Sequence, residues 1–269
     1  MENVKDIIRK RKSVRTFDAP ISDDDKKRLE ESFKELDNPF GIAVEFRILN
    51  TEEHKLSSPV VVGTDCYVGA KVKACPQSEI ACGYSFEKFC LFAKSLGIGT
   101  VILAGTLNRK NFERAMQLSD GEVMPVVTPV GYPSNKKSVR EKLMRKAIKA
   151  DERQPFEKLF YEDSFAKSLT AERAGQFADA LETVRLAPSA VNKQPWRAVV
   201  CGNKVHFFKK ISKGMVTDSF DIQKIDIGIA LAHFDLTLKE SGIKGRFTES
   251  KPDFKTDNSV EYIITYEVN

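Results

Sequence analysis

The chain has 269 residues, with 43 Lys plus Arg against 38 Asp plus Glu for a net charge of +5, 41% hydrophobic and 30% charged residues. That balance excludes a disordered, collagen-like or low-complexity chain and leaves ample material for a core. Five cysteines without a C-x-x-C pair exclude a disulfide scaffold and a zinc pattern. No apolar run nears the roughly 18 residues that cross a bilayer, and the N-terminus lacks the apolar stretch of a signal peptide, so a cytoplasmic protein without membrane contact is expected.

In chain order, the basic cluster Arg9–Arg15 comes first. Ile21-Ser22 followed by Asp23, Asp24 and Asp25 predicts a helix through about Leu36, with Ser22 as N-cap and the acids complementing the dipole. Val44–Leu49 and Pro59–Gly63 read as strands from their β-branched and aromatic content. Gly83–Gly97 reads as an apolar helix ended by glycine, followed by strand-like Thr100–Ala104 and a late strand over Met124–Tyr132. Lys136–Arg153 then carries eight basic and three acidic residues. It reads as a solvated connecting helix with Val139, Leu143 and Ala147 as its apolar stripe. This one segment holds the whole charge excess, whereas a nucleic-acid binder spreads a basic face over its fold, so no nucleic-acid partner is expected. Leu169-Thr170 predicts a helix through about Leu186. Arg197–Cys201 and Lys204–Lys209 form a hairpin around Gly202-Asn203. A second apolar helix, Gly228–Gly242, precedes strand-like Lys244–Thr248 and a last strand over Glu261–Val268.

The two apolar helices align without a gap at an offset of 145 residues, each is followed by a strand-like run and a late strand, and the helices from Ser22 and from Leu169 fall in the same order. The expected fold is therefore α+β, a mixed α/β arrangement of mostly antiparallel sheets covered by helices. It is built from two tandem repeats, 1–155 and 156–269, with a seam near 150–163. Each repeat is short for a generous core, so the two should fold as one intertwined pseudo-dimer.

Two stretches carry chemistry: Arg11-Lys12-Ser13-Val14-Arg15, and Ala187-Pro188-Ser189-Ala190-Val191-Asn192-Lys193-Gln194-Pro195-Trp196. With them the sequence resembles the FMN-dependent nitroreductase family, in its tandem-fused single-chain branch, over nearly the whole chain. The first repeat keeps the basic segment but has Leu36–Gly41 where the second motif belongs. The second repeat keeps Ala187–Trp196 but has Phe160–Phe165 in place of the basic segment. Each half thus retains one half-site, and together they complete one.

The resemblance implies a nitroreductase-like fold, FMN as cofactor and NAD(P)H as electron donor, with a nitroaromatic, a quinone or a similar small molecule as acceptor. It assigns Arg11, Lys12, Ser13 and Arg15 to the flavin phosphate and polar ring edge, and Arg153 to the late arginine that returns to the phosphate. Ala104, Gly105 and Thr106 match the strand end whose backbone approaches the ring. Pro188, Ser189, Ala190 and Asn192 approach it from the other repeat, while Gln194 and Trp196 support that loop. The residue types agree: guanidinium forks suit a dianionic phosphate, and an asparagine amide offers a donor and an acceptor. No side-chain acid or base is required, so no catalytic residue is named. His54, His206 and His233 lack metal spacing, with His233 expected as a core residue, and Cys66, Cys75, Cys82 and Cys90 are read as buried thiols. A flavin-binding protein without turnover would use the same residues. One FMN per chain is expected, in a monomer with an internal pseudo-dimer or a weak homodimer.

Overall fold

The computed structural model describes residues 3–269 apart from 137 and 218, without the side chains of 139 and 140. The first repeat runs α1 (Val4–Lys10), β1 (Phe17–Ala19), α2 (Asp23–Ser32), β2 (Val44–Asn50), β3 (Cys66–Lys73), α3 (Ser78–Ser95), α4 (Arg109–Ala115), β4 (Glu122–Val130) and β5 (Tyr132–Pro133). Helix α5 (Val139–Ala147) links it to β6 (Phe160–Glu162), α6 (Ala178–Leu186), β7 (Trp196–Cys201), β8 (Lys204–Lys210), α7 (Ile222–Glu240), β9 (Gly245–Thr248) and β10 (Val260–Val268). Ser22 caps α2 as its sequence predicts, its Oγ accepting the Asp25 N–H at 3.2 Å. Gly97 and Gly242 end the two long helices with φ of +80° and +74°, a conformation glycine adopts without strain.

The strands form an antiparallel sheet in the order β2-β3-β4, a sheet β6-β7-β8-β10-β9 in which only β6 and β7 run parallel, and a short β1-β5 pair. Helix α3 packs on the first sheet and α7 on the second, and the two helices pack on each other. Both are apolar nearly all round, as helices enclosed on every side must be. One core runs through both halves, joining Val68 and Phe86 to Phe207 and Phe234. This is the expected mixed, mostly antiparallel architecture.

The helix contact makes the internal symmetry explicit. A Cβ on Gly228 would stand 2.1 Å from the Ile80 carbonyl oxygen, and one on Gly83 would stand 2.2 Å from that of Ile225. Each contact maps onto the other under the 145-residue offset. The axis relating the repeats therefore passes where two glycines let the helix backbones touch.

Several elements depart from the sequence reading. Pro59–Gly63 is not a strand; it contributes one bridge, Thr16 to Val62, because Pro59 has no N–H to donate and Gly63 turns at φ +87°. Thr100–Ala104 makes isolated bridges to Ser13 and Val127, and its Val101 N–H goes to the Thr128 hydroxyl instead of a strand. The helix expected from Leu169 starts only at Ala178, after a turn and a 3-10 segment opened by Gly175 at φ +53°. Cys75 is exposed, whereas Cys66, Cys82 and Cys90 are buried. His233 is a core residue as expected: its Nδ1–H donates to the Thr183 carbonyl at 2.8 Å, and Nε2 lies 2.9 Å from the buried Glu87 carboxyl. Among the described residues no helix is long and apolar enough to cross a membrane.

Candidate functional site

A cavity of about 360 Å3 opens between the repeats, and every candidate residue from the sequence lines it. Arg11 is the residue at which α1 ends and the chain turns extended. From there 11–15 runs beside the segment after α3: Val14 N–H donates to Thr100 O at 2.8 Å, and Ser13 bridges Thr100. This pairing brings Arg11, Lys12, Ser13 and Arg15 to one wall and Ala104, Gly105 and Thr106 to the next. Pro188, Ser189, Ala190 and Asn192 arrive from the second repeat, and Arg153 from the turn after α5.

The 188–194 loop holds unusual backbone for residues with side chains, with φ of +43° at Val191, +57° at Asn192 and +49° at Gln194. Such conformations persist only where their surroundings enforce them. Asp226 accepts the Ala190 N–H at 3.0 Å, the Ser189 hydroxyl accepts the Gln194 N–H at 2.9 Å, and the buried Gln194 side chain accepts the Gln154 N–H at 2.9 Å. Asn192 lines the cavity, but its amide nitrogen donates to the carbonyls of Lys149 at 2.7 Å and Glu152 at 3.0 Å. It braces the turn that carries Arg153. Trp196 is fully buried beneath the loop, in the supporting place its sequence context suggested.

The charge on the walls is mostly cationic and poorly matched by the protein. Arg11 Nε faces the buried Glu87 at 3.5 Å. Arg15 is buried, yet its Nε and Nη1 find no acceptor among the described residues, and neither does Arg153 Nε. Burial holds both guanidiniums below their ordinary proton affinity; Glu141 partly offsets this at Arg15, and neighbouring arginines deepen it at both. An unpaired buried N–H is costly, so such a group points to an anionic ligand. Beside these cations lies an apolar slot formed by Val101, Ile102, Ile222, Ile225 and Ile229. Gly105 adds a second indication. Its φ is not positive and a Cβ there would meet no protein atom within 4 Å, so neither backbone nor packing demands glycine. Close approach of a bound molecule would.

Sequence reasoning missed Asp226, Arg145, Met144 and the isoleucines of α7. Residues 222, 225, 226 and 229 lie three and four apart on one helix face, which is the signal that could have found them. Of the apolar stripe expected on α5, the Val139 side chain lies outside the described residues, and Leu143 and Ala147 are exposed. Leu143 is 65% exposed, and the face turned inward carries Glu141, Met144 and Ile148. The segment is thus a wall of the cavity rather than a solvated connector.

Burial drives the Asp226 carboxyl well above the usual carboxylate range, opposed only in part by the Ala190 N–H. The folded protein then keeps this proton where the unfolded chain has lost it. Its contribution to stability is full in acid and falls as pH rises from the ordinary carboxyl value toward the raised one. Asp226→Asn should flatten that fall, read as thermal unfolding between about pH 4 and pH 8. An unchanged slope in the variant would contradict the assignment.

Residues 3–238 match the model of a family described as "Putative TM nitroreductase". The chain is similar to the crystal structure of a protein described as a putative nitroreductase from Thermotoga maritima, with a TM-score of 0.64 and 20% identity over 99% of this chain and 93% of that one. Half-length overlaps occur with a putative NADH dehydrogenase/NAD(P)H nitroreductase from Bacteroides thetaiotaomicron (18% identity, 51% of this chain and 91% of that one, TM-score 0.42). A further one is with an FMN-dependent nitroreductase from Clostridium difficile (12% identity, 49% of this chain and 88% of that one, TM-score 0.42). No curated protein matches the sequence significantly.

Proposed function

The chain belongs to the nitroreductase family described as "Putative TM nitroreductase", and we propose that its cavity binds FMN and that it passes electrons from NAD(P)H to a nitroaromatic, a quinone or a similar electron-poor acceptor. The observation that carries this reading is the set of buried guanidinium N–H groups of Arg15 and Arg153 without acceptors, beside an apolar slot. A flavin mononucleotide is a dianion joined to a flat, largely apolar ring, and these residues fit both parts. Arg11, Lys12, Ser13, Arg15 and Arg153 would hold the phosphate and polar edge through charge-assisted hydrogen bonds. Ala104, Gly105 and Thr106 would face the ring, with Gly105 leaving room for close approach. Pro188, Ser189, Ala190 and Asn192 would cover it from the second repeat, and Ile225 and Ile229 would keep water from its face.

The chemistry FMN supplies there is electron transfer between nicotinamide and acceptor, while the protein binds, orients and excludes water. Repeats 1–155 and 156–269 each give half of the site, so a monomer with an internal pseudo-dimer suffices. The sequence shows no separate nicotinamide motif, so donor and acceptor should use the same pocket in turn. Steady-state NAD(P)H oxidation by the FMN-loaded protein, with a nitroaromatic or a quinone, should give parallel double-reciprocal lines. Flavin-loaded protein that oxidises no NAD(P)H with either acceptor would instead be a flavin-binding protein without turnover.

A further inference from the structure

Helix α5 brings a fourth arginine to the cavity. Arg145 lines it, its side chain only 10% exposed, and its guanidinium donates to Asp151, whose own side chain is 82% exposed. The charge of Arg145 is felt by both Arg15 and Arg153, and Asp151 offsets it at Arg153. Arg11, Arg15, Arg145 and Arg153 therefore share one electrostatic field. The acids opposite the first two are built in: Glu87 is fully buried, and Glu141, nearly so, accepts the Thr16 hydroxyl at 2.9 Å. Asp151 differs. It stands in solvent at the cavity edge, on the turn that Asn192 braces through Lys149 and Glu152. An exposed carboxylate gives up a partner at little cost because water takes its place, whereas the arginine it leaves is largely out of water and needs an anion.

Resting on the flavin reading of the cavity, we propose that Arg145 is a further ligand for the phosphate of FMN. Asp151 is the internal counter-anion that holds Arg145 in the cavity wall until the phosphate displaces it. A dianion beside four guanidiniums interacts more strongly than a single carboxylate, and the exchange leaves no buried charge unmatched. Helix α5 then acts as a cap whose closure is set by the anion beneath it, and selectivity for the phosphorylated flavin arises partly from this segment.

The test is titration of FMN and of riboflavin, which lacks the phosphate, into flavin-free full-length chain. Arg145→Gln should weaken FMN about tenfold or more, the loss of a charge-assisted contact, and leave riboflavin unchanged. Asp151→Asn, which removes the competing counter-anion, should tighten FMN and leave riboflavin unchanged. Wild-type chain that binds FMN while Arg145→Gln binds it equally well, or loses FMN and riboflavin alike, overturns the cap and leaves the flavin reading standing. Weaker FMN binding by Asp151→Asn overturns its role as counter-anion. Wild-type chain that binds neither flavin overturns both readings.

Discussion

Gly228→Ala is expected to cost about 3 kcal/mol or more of folding stability, as is Gly83→Ala, which for a domain of ordinary stability removes a large share of the total. Overpacking is usually relieved by a rotating side chain. Here the atoms in the way are backbone: the Ile80 carbonyl oxygen at 2.1 Å from the new Cβ in one case, and the Ile225 oxygen at 2.2 Å in the other. Neither can turn aside without moving a helix, and α3 and α7 also carry the Glu87–His233 contact and the Tyr84–Asp235 hydrogen bond between the repeats. Separation of the helices would strain those buried polar pairs as well. Urea unfolding of the two variants should show midpoints well below wild type, with Gly105→Ala, which meets no protein atom, as a stable control. Wild-type stability in Gly228→Ala would mean that the helices are not in backbone contact.

The second large effect is on cofactor number. A homodimer of separate chains repeats each segment and so builds two sites; this chain has one copy of each. At the location related by the 145-residue offset, Ile102, which lines the cavity, is replaced by Phe247, Ile229 by Tyr84, and Asp226 by Ala81. Phe40 stacks on Phe247 at 6.0 Å between ring centroids and meets Tyr84 edge-on at 6.4 Å, while Tyr266 contacts Phe247 at 5.0 Å. Phe40 comes from the segment that stands where the second motif would be. Aromatic rings thus occupy the related position, and a dianion put there would lack its arginines. One FMN per chain should bind. Arg15→Ala should weaken it by a factor of about ten to one hundred, since each charge-assisted contact contributes roughly 1.5–3 kcal/mol.

Much of this was legible in the residues. Ser22 before three aspartates could only cap a helix, and Gly97 and Gly242 marked helix ends because glycine tolerates the left-handed turn. The offset of the two apolar helices disclosed the repeat, and Arg11–Arg15 with Pro188–Asn192 disclosed two walls of the cavity. What escaped was long-range. Strand β3, CYVGAKVK, is buried on both faces and lacks the alternation that marks a half-exposed strand. The inward face of α5 is set by what it leans on, so its own periodicity pointed to Leu143 and missed Met144. Asp226 sits in a run that reads as plain core, IDIGIALAHF, and its role depends on a loop over thirty residues earlier.

If the two repeats together build one cofactor site, a single chain suffices to hold one flavin. The measurement is the flavin-to-chain ratio of the monomeric protein, taken from its absorption spectrum after saturation with FMN and removal of the excess. One FMN per chain on a monomer is the expected ratio. Two per chain, one shared between two chains, or none would contradict it.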